Sequence, residues 1–146
     1  MGGNRYKMVR LSNGRMVELS NSNAVNSKRI EKFEDLNAWK EARILYKEII
    51  SMTRLSIVKK DYVFIDQIRR AALSIMSNIA EGFESLTDKE KVNFLNFARR
   101  SCAEVRSQLY TALDNEYIDK NGFTNLYEKA IKTGKLITGL MNYLRR

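Results

Sequence analysis

The chain has 146 residues, one domain's worth with room for a tail, and its 44% hydrophobic and 29% charged residues are a soluble globular balance rather than a disordered one. It has no His and one Cys, which excludes imidazole general bases, Ser-His-Asp and Cys-His nucleophile pairs, an intrachain disulfide and a thiolate zinc cluster. Its 26 Lys and Arg against 17 Asp and Glu leave +9, a balance that points to an acidic partner, most often nucleic acid.

Charge divides the chain near residue 33. Residues 1–32 carry seven basic side chains and two acidic ones, so more than half of the net charge sits on a short basic extension. Within it, Met8-Val9-Arg10-Leu11 and Met16-Val17-Glu18-Leu19 are near copies separated by Ser12-Asn13-Gly14-Arg15. Asn-Gly between two such runs predicts a hairpin with a two-residue type I′ turn. That register sets Arg10 across from Val17 and Val9 across from Glu18. A lone hairpin is marginal in water, so a floppy basic leader stands beside it as the other reading. The segment Ser20 to Ser27 has the composition of a polar linker.

Residues 33–146 read as four helices, and the absence of Pro suits long uninterrupted ones. The first spans about Leu36 to Leu55, with Asp35 as N-cap. Leu36, Trp39, Tyr46, Ile49 or Ile50 and Leu55 fall near a 3–4 spacing that Arg43 interrupts. Val58-Lys59-Lys60 is the connection. The second helix spans about Asp61 to Glu81, with an apolar stripe of Ile65, Ile68, Ala72, Ile75, Ile79 and Phe83. Gly82 fits the position that ends it. The third opens on Thr87-Asp88-Lys89-Glu90, a capping box, and carries Val92, Leu95, Ala98, Cys102, Val105, Leu109 and Leu113 to about Asn115. The fourth starts with Asp119 or Thr124 as cap. In it Phe123, Ala130, Ile137 and Leu144 repeat every seven beside Tyr127, Gly134 and Met141, an a/d-like seam. The fold class is all-α: an up-down-up-down antiparallel four-helix bundle with a short basic N-terminal extension.

No stretch approaches the roughly 20 apolar residues of a membrane span. The N-terminus lacks the apolar core of a secretory signal, and the expected location is cytoplasmic. On the second helix Gln67, Ser74, Asn78 and Glu81 form a polar row. Ser101, Glu104 and Gln108 form a matching row on the third. Two readings stay open. Ser74 and Asn78 bond neighbouring helices and fix their register, or the rows line a groove or a subunit contact. Glu81 and Glu104 have Arg69 and Arg100 as candidate partners. Candidate phosphate contacts are Arg69, Arg70, Arg99 and Arg100 on the body and Arg5, Lys7, Arg10 and Arg15 on the extension. Lys59, Lys60, Arg145 and Arg146 are weaker choices. No nucleophile, phosphate loop, metal-ligand cluster or cofactor motif accompanies them, so an enzyme is not expected. Zinc-finger, helix-turn-helix and aromatic RNA-recognition signatures are absent too, which leaves charge and shape as the means of binding.

The runs Phe33-Glu34-Asp35-Leu36-Asn37-Ala38-Trp39-Lys40-Glu41-Ala42-Arg43, Gln67-Ile68-Arg69-Arg70-Ala71-Ala72 and Ser74-Ile75-Met76-Ser77-Asn78-Ile79-Ala80-Glu81-Gly82 carry a resemblance. So do Phe94-Leu95, Ala98-Arg99, Ser101, Glu104 and Gln108-Leu109. Together they resemble the four-helix-bundle family of 23S rRNA intervening-sequence proteins over about Phe33 to Leu144. Met76 stands where that family usually has Pro, and the first 32 residues match nothing in it. The resemblance implies a bacterial protein, a homopentamer around a central channel, and RNA binding. The accessory variability proteins of diversity-generating retroelements share the fold. Through them the resemblance implies an alternative, an adaptor that binds a reverse transcriptase and nucleic acid.

Overall fold

The computed structural model describes residues 6–20 and 27–145. Arg5, Arg146 and most of the polar linker, residues 21–26, lie outside the described residues. Three short strands come first: β1 (Tyr6–Arg10), β2 (Met16–Ser20) and β3 (Ser27–Ile30). They form one antiparallel sheet in the order β1-β2-β3. A 3₁₀ turn at Phe33–Asp35 leads into α1 (Asn37–Thr53), followed by α2 (Tyr62–Glu84), α3 (Asp88–Asp114) and α4 (Lys120–Leu144). Each helix packs on its neighbours in the chain and α1 closes on α4, as an up-down-up-down bundle requires.

The hairpin forms, with a register one residue away from the expected one. Val9 pairs with Val17 and Arg10 with Met16. The loop holds three residues, not two. Gly14 N–H donates to the Leu11 carbonyl at 2.9 Å, Leu11 N–H donates to the Arg15 carbonyl at 2.8 Å, and Gly14 alone takes a positive φ, +79°. A tight turn followed by one left-handed glycine fits such a loop, whereas type I′ would need Asn13 at positive φ as well. One residue of register decides which face each side chain takes. Here it sends Met8, Met16 and Ile30 to the bundle, where Met8 and Ile30 are buried in the common core. β3 was not visible in the sequence, because Ser-Lys-Arg-Ile carries no strand pattern of its own.

The helix starts that depend on local chemistry stand where the residues put them. Asp61 accepts from Phe64 N–H, Thr87 and Glu90 make the reciprocal capping box, and Asp119 caps α4 through Gly122 N–H. Asp35 does not cap α1. Its carboxylate accepts from the Glu31 and Lys32 N–H groups instead, and Leu36 occupies the cap position with no side-chain bond. On α1 the buried face is Ala38, Ala42, Leu45, Ile49 and Met52, while Trp39 and Tyr46 are half-buried and Leu55 is exposed. In the connection, Val58 is fully buried between exposed Lys59 neighbours and Ile57.

Gly82 does not end α2, which continues to Glu84. A Cβ at position 82 would lie 3.2 Å from Phe94 Cβ and 3.3 Å from the Lys91 carbonyl. The glycine is there to let α3 approach, not to turn the chain. On α4 the buried seam is Leu126, Ala130, Thr133, Ile137, Leu140 and Met141. Tyr127 and Gly134, read as seam residues, stand one position off it and are only half-buried.

Among the described residues Glu18 is the one acid buried with the core. It faces Lys28, Lys40 and Asn37, yet its Oε2 has no hydrogen-bond partner among the described residues. Burial pushes its carboxyl above the usual glutamate range, and hydrogen bonding from Asn37 and the two lysine charges only partly oppose that. The ionised form is therefore less favoured in the folded chain than in the unfolded one. The contribution to stability is full below the ordinary glutamate pKa and is lost as pH rises through the folded value. Glu18→Gln should raise the urea midpoint at about pH 7.5 and lose that advantage near about pH 4. An advantage that does not change with pH would place its origin elsewhere than in the carboxylate charge.

Candidate nucleic-acid interface

The four body arginines proposed from sequence do not form one patch. Arg69 turns toward α1, where its Nε donates to Thr53 Oγ1 at 2.8 Å. Thr53 is itself buried and donates to the Ile50 carbonyl. Arg70 is exposed and paired with Asp66 one turn earlier at 2.9 Å. Arg99 is exposed and donates through Nη2 to Asn96 Oδ1 at 2.9 Å. Arg100 is exposed and makes no ion pair among the described residues.

On the extension, Arg10 leaves the sheet and reaches the far end of the chain. Its Nε donates to Tyr143 Oη at 3.1 Å, and its Nη2 lies 3.9 Å from Asp88. The hydroxyl and the carboxylate hold the guanidinium still further in its charged form. Lys7 and Arg10 line a cleft of about 370 Å³ where β1 meets the start of α3 and the end of α4. Arg15 is exposed in the hairpin loop. Lys59, Lys60 and Arg145 are exposed as well.

The polar rows behave differently from each other. Ser101 Oγ donates to Ser74 Oγ at 2.9 Å, which ties α3 to α2. Asn78 bonds back to the Ser74 carbonyl and hydroxyl within its own helix. Gln108 reaches Glu104 at 3.4 Å and leaves its buried Oε1 without a partner among the described residues. Gln67, Glu81 and Glu104 face solvent, and neither glutamate makes an ion pair with Arg69 or Arg100. Beside the Ser74–Ser101 link, Leu73 and Phe97 are 48% and 50% exposed. The outer α2–α3 face therefore combines apolar side chains with Arg70, Arg100, Glu81 and Glu104.

Sequence reasoning missed a different arrangement between α3 and α4. An open groove of about 450 Å³ is lined by Arg99, Arg106 and Lys135 with no acidic residue among its walls. Its floor is small: Cys102, Ala130, Gly134 and Gly139. Burial pushes the Cys102 thiol up to about 12, against the pull of Arg106, so it stays protonated and unreactive. Arg106 also lies over the Tyr127 ring, 5.9 Å from its centroid. The available signal was the Arg99, Arg106, Tyr110 spacing of seven and four on α3, which repeats one helix face.

No helix is long and apolar enough to cross a membrane, and no cluster of metal-binding side chains occurs among the described residues. A family model described as 23S rRNA-intervening sequence protein matches residues 34–139. The chain belongs to the 23S rRNA-intervening sequence protein family. The match begins beyond β3, so this intervening-sequence protein carries its sheet outside the family region. It is also similar to a solved structure from Bacteroides thetaiotaomicron, a protein with unknown function from the S23 ribosomal protein family. The two are 22% identical with a TM-score of 0.67, over 71% of this chain and 97% of that one. That likeness is one of fold. A comparison with curated proteins finds no match.

Proposed function

We propose that this intervening-sequence protein is a non-enzymatic, self-assembling RNA-binding protein that holds its ligand by charge and shape. The observation that carries the reading is the α3–α4 groove, with three cations and no acid on its walls, in a chain of net charge +9. Exposed guanidinium and ammonium groups without carboxylate partners neutralise phosphates and release counterions. The half-exposed Leu73 and Phe97 on the outer α2–α3 face support self-assembly, for which five copies are the expectation. Repetition of a weak cationic site makes binding avid without any new contact.

Fluorescence-anisotropy titration of a structured rRNA fragment and a matched DNA duplex, at low and moderate salt, tests the reading. Binding that weakens steeply with salt, and a preference for RNA, are the expected results. Absence of binding at low salt would overturn it and move the search to a protein partner.

A further inference from the structure

Resting on the nucleic-acid reading, we propose that the α3–α4 groove is a site for single-stranded nucleic acid. Arg99, Arg106 and Lys135 hold backbone phosphates there, and Tyr110 is the platform on which an unpaired base stacks. Three independent features meet on this face.

The first is charge. The three cations line one open groove without an acidic wall residue, and none of them pairs with a carboxylate among the described residues. A volume of about 450 Å³ lies within the range of roughly 300–1,000 Å³ usual for ligand sites.

The second is space. Gly134 and Gly139 sit inside α4, where glycine weakens a helix. Packing does not demand either one. A Cβ at Gly139 would meet nothing within 4 Å, and one at Gly134 would meet only Cys102 Cβ, at an ordinary 3.9 Å. Their effect is to leave the groove open. This is unlike Gly82, where a Cβ would crowd Phe94 and the Lys91 carbonyl.

The third is the aromatic surface at the groove's end. Arg106 belongs to both parts, since it lines the groove and covers Tyr127. Tyr127 meets Tyr110 edge-on at 5.8 Å, and Phe123 meets Tyr110 tilted at 4.8 Å. Neither ring lies flat on Tyr110, which stays 49% exposed. From Arg99 to Tyr110 the row runs about 16 Å along α3. A cationic track that ends at an open aromatic ring is the pairing by which proteins hold single strands. In a duplex the base faces are already stacked, so the ring would have nothing to meet.

The test uses the full chain and three labelled probes: a short oligouridylate, an oligodeoxyuridylate of equal length, and a duplex. The groove variant Arg99→Gln/Arg106→Gln/Lys135→Gln is compared with a charge-matched control, Arg43→Gln/Lys47→Gln/Arg54→Gln, at exposed positions of α1 and its C-terminal cap. A single strand should bind more tightly than the duplex. The groove variant should flatten the log–log salt dependence by about 2, at ~0.7 per single-strand phosphate contact, and the control should not. Tyr110→Ala should weaken single-strand binding by roughly fivefold or more while leaving the salt slope unchanged. Tyr110→Leu, which keeps apolar bulk without a π face, should do the same and covers the case in which the alanine variant unfolds. Binding of either strand supports the site, and the tighter one identifies the preferred sugar. Equal losses in groove and control variants would overturn the site while leaving nucleic-acid binding standing. Equal duplex binding with silent Tyr110 variants would overturn the single-strand assignment. No binding of any probe would sink this inference and the broader reading together.

Discussion

Replacing Ile75 by alanine should destabilise the bundle by about 2–5 kcal/mol. Ile75 stands at the middle of α2 with none of its surface exposed. Next to it, Ser74 is tied to Ser101 of α3, which limits how far the two helices can move to close a cavity. The lost methyl and methylene groups therefore leave a void, and the void adds to the lost transfer energy. For a chain of this length the melting temperature should fall by about 10 °C. Leu73, two residues away, makes the internal control. It is half-exposed, so Leu73→Ala should change the stability of the isolated chain by no more than about 0.5 kcal/mol. If the two variants melt alike, the assignment of inner and outer α2 faces is wrong.

Deleting residues 1–32 should cost about 3–6 kcal/mol, the estimate for withdrawing two large apolar side chains from a core and an upper bound for a denatured state with residual structure. Those side chains are Met8 and Ile30, which share the hydrophobic core of the helices. Met16 packs on the same end of the bundle, in a small recess with Leu36, Phe83, Leu95, Leu140 and Leu144. The sequence alone leaves a hairpin that needs support and a floppy basic leader side by side for this extension. The structure makes the sheet the lid over one end of its core. Urea denaturation followed by circular dichroism checks the point: the helical signal should persist in water and the midpoint should drop. An unchanged midpoint would mean that the sheet rests on the bundle without holding it.

What was legible in the sequence was what local chemistry decides. Thr87 with Glu90, and Asp119, each satisfy backbone groups within a few residues, so their roles follow from the residues themselves, and Asp61, read only as the start of α2, proves to be its cap. The apolar positions of α2 and α3 were legible for a related reason, since their period is that of the helix. Gly82 was misread because a helix stop and a close helix approach select the same residue type. Only the position of Phe94 and Lys91 distinguishes them. β3 owes its existence to its partner strand rather than to its own residues.

The site was harder to read for a geometric reason. Adjacent residues on a helix point about 100° apart. Arg69 and Arg70 therefore part company, one to Thr53 and one to Asp66. Arg99 and Arg100 do the same, with Arg99 on the groove toward α4 and Arg100 elsewhere on the exposed surface. A pair of basic residues in sequence is not a pair in space. Residues seven or four apart, such as Arg99, Arg106 and Tyr110, are the ones that share a face. Lys135 joins them from another helix, which no reading of α3 alone could supply.

The link from Arg10 to Tyr143 spans 133 positions of the chain. Synthesis makes β1 before any of the helices and the end of α4 after the other three. Met16 shares its recess with Leu36, Phe83 and Leu95 but also with Leu140 and Leu144, so that recess is complete only once α4 has been made. Until then the sheet is a small, marginal element with an uncovered apolar face. Closing the Arg10–Tyr143 link encloses all four helices, a step whose entropy cost grows only slowly with the length enclosed. The sheet can therefore be docked in full only once α4 is in place.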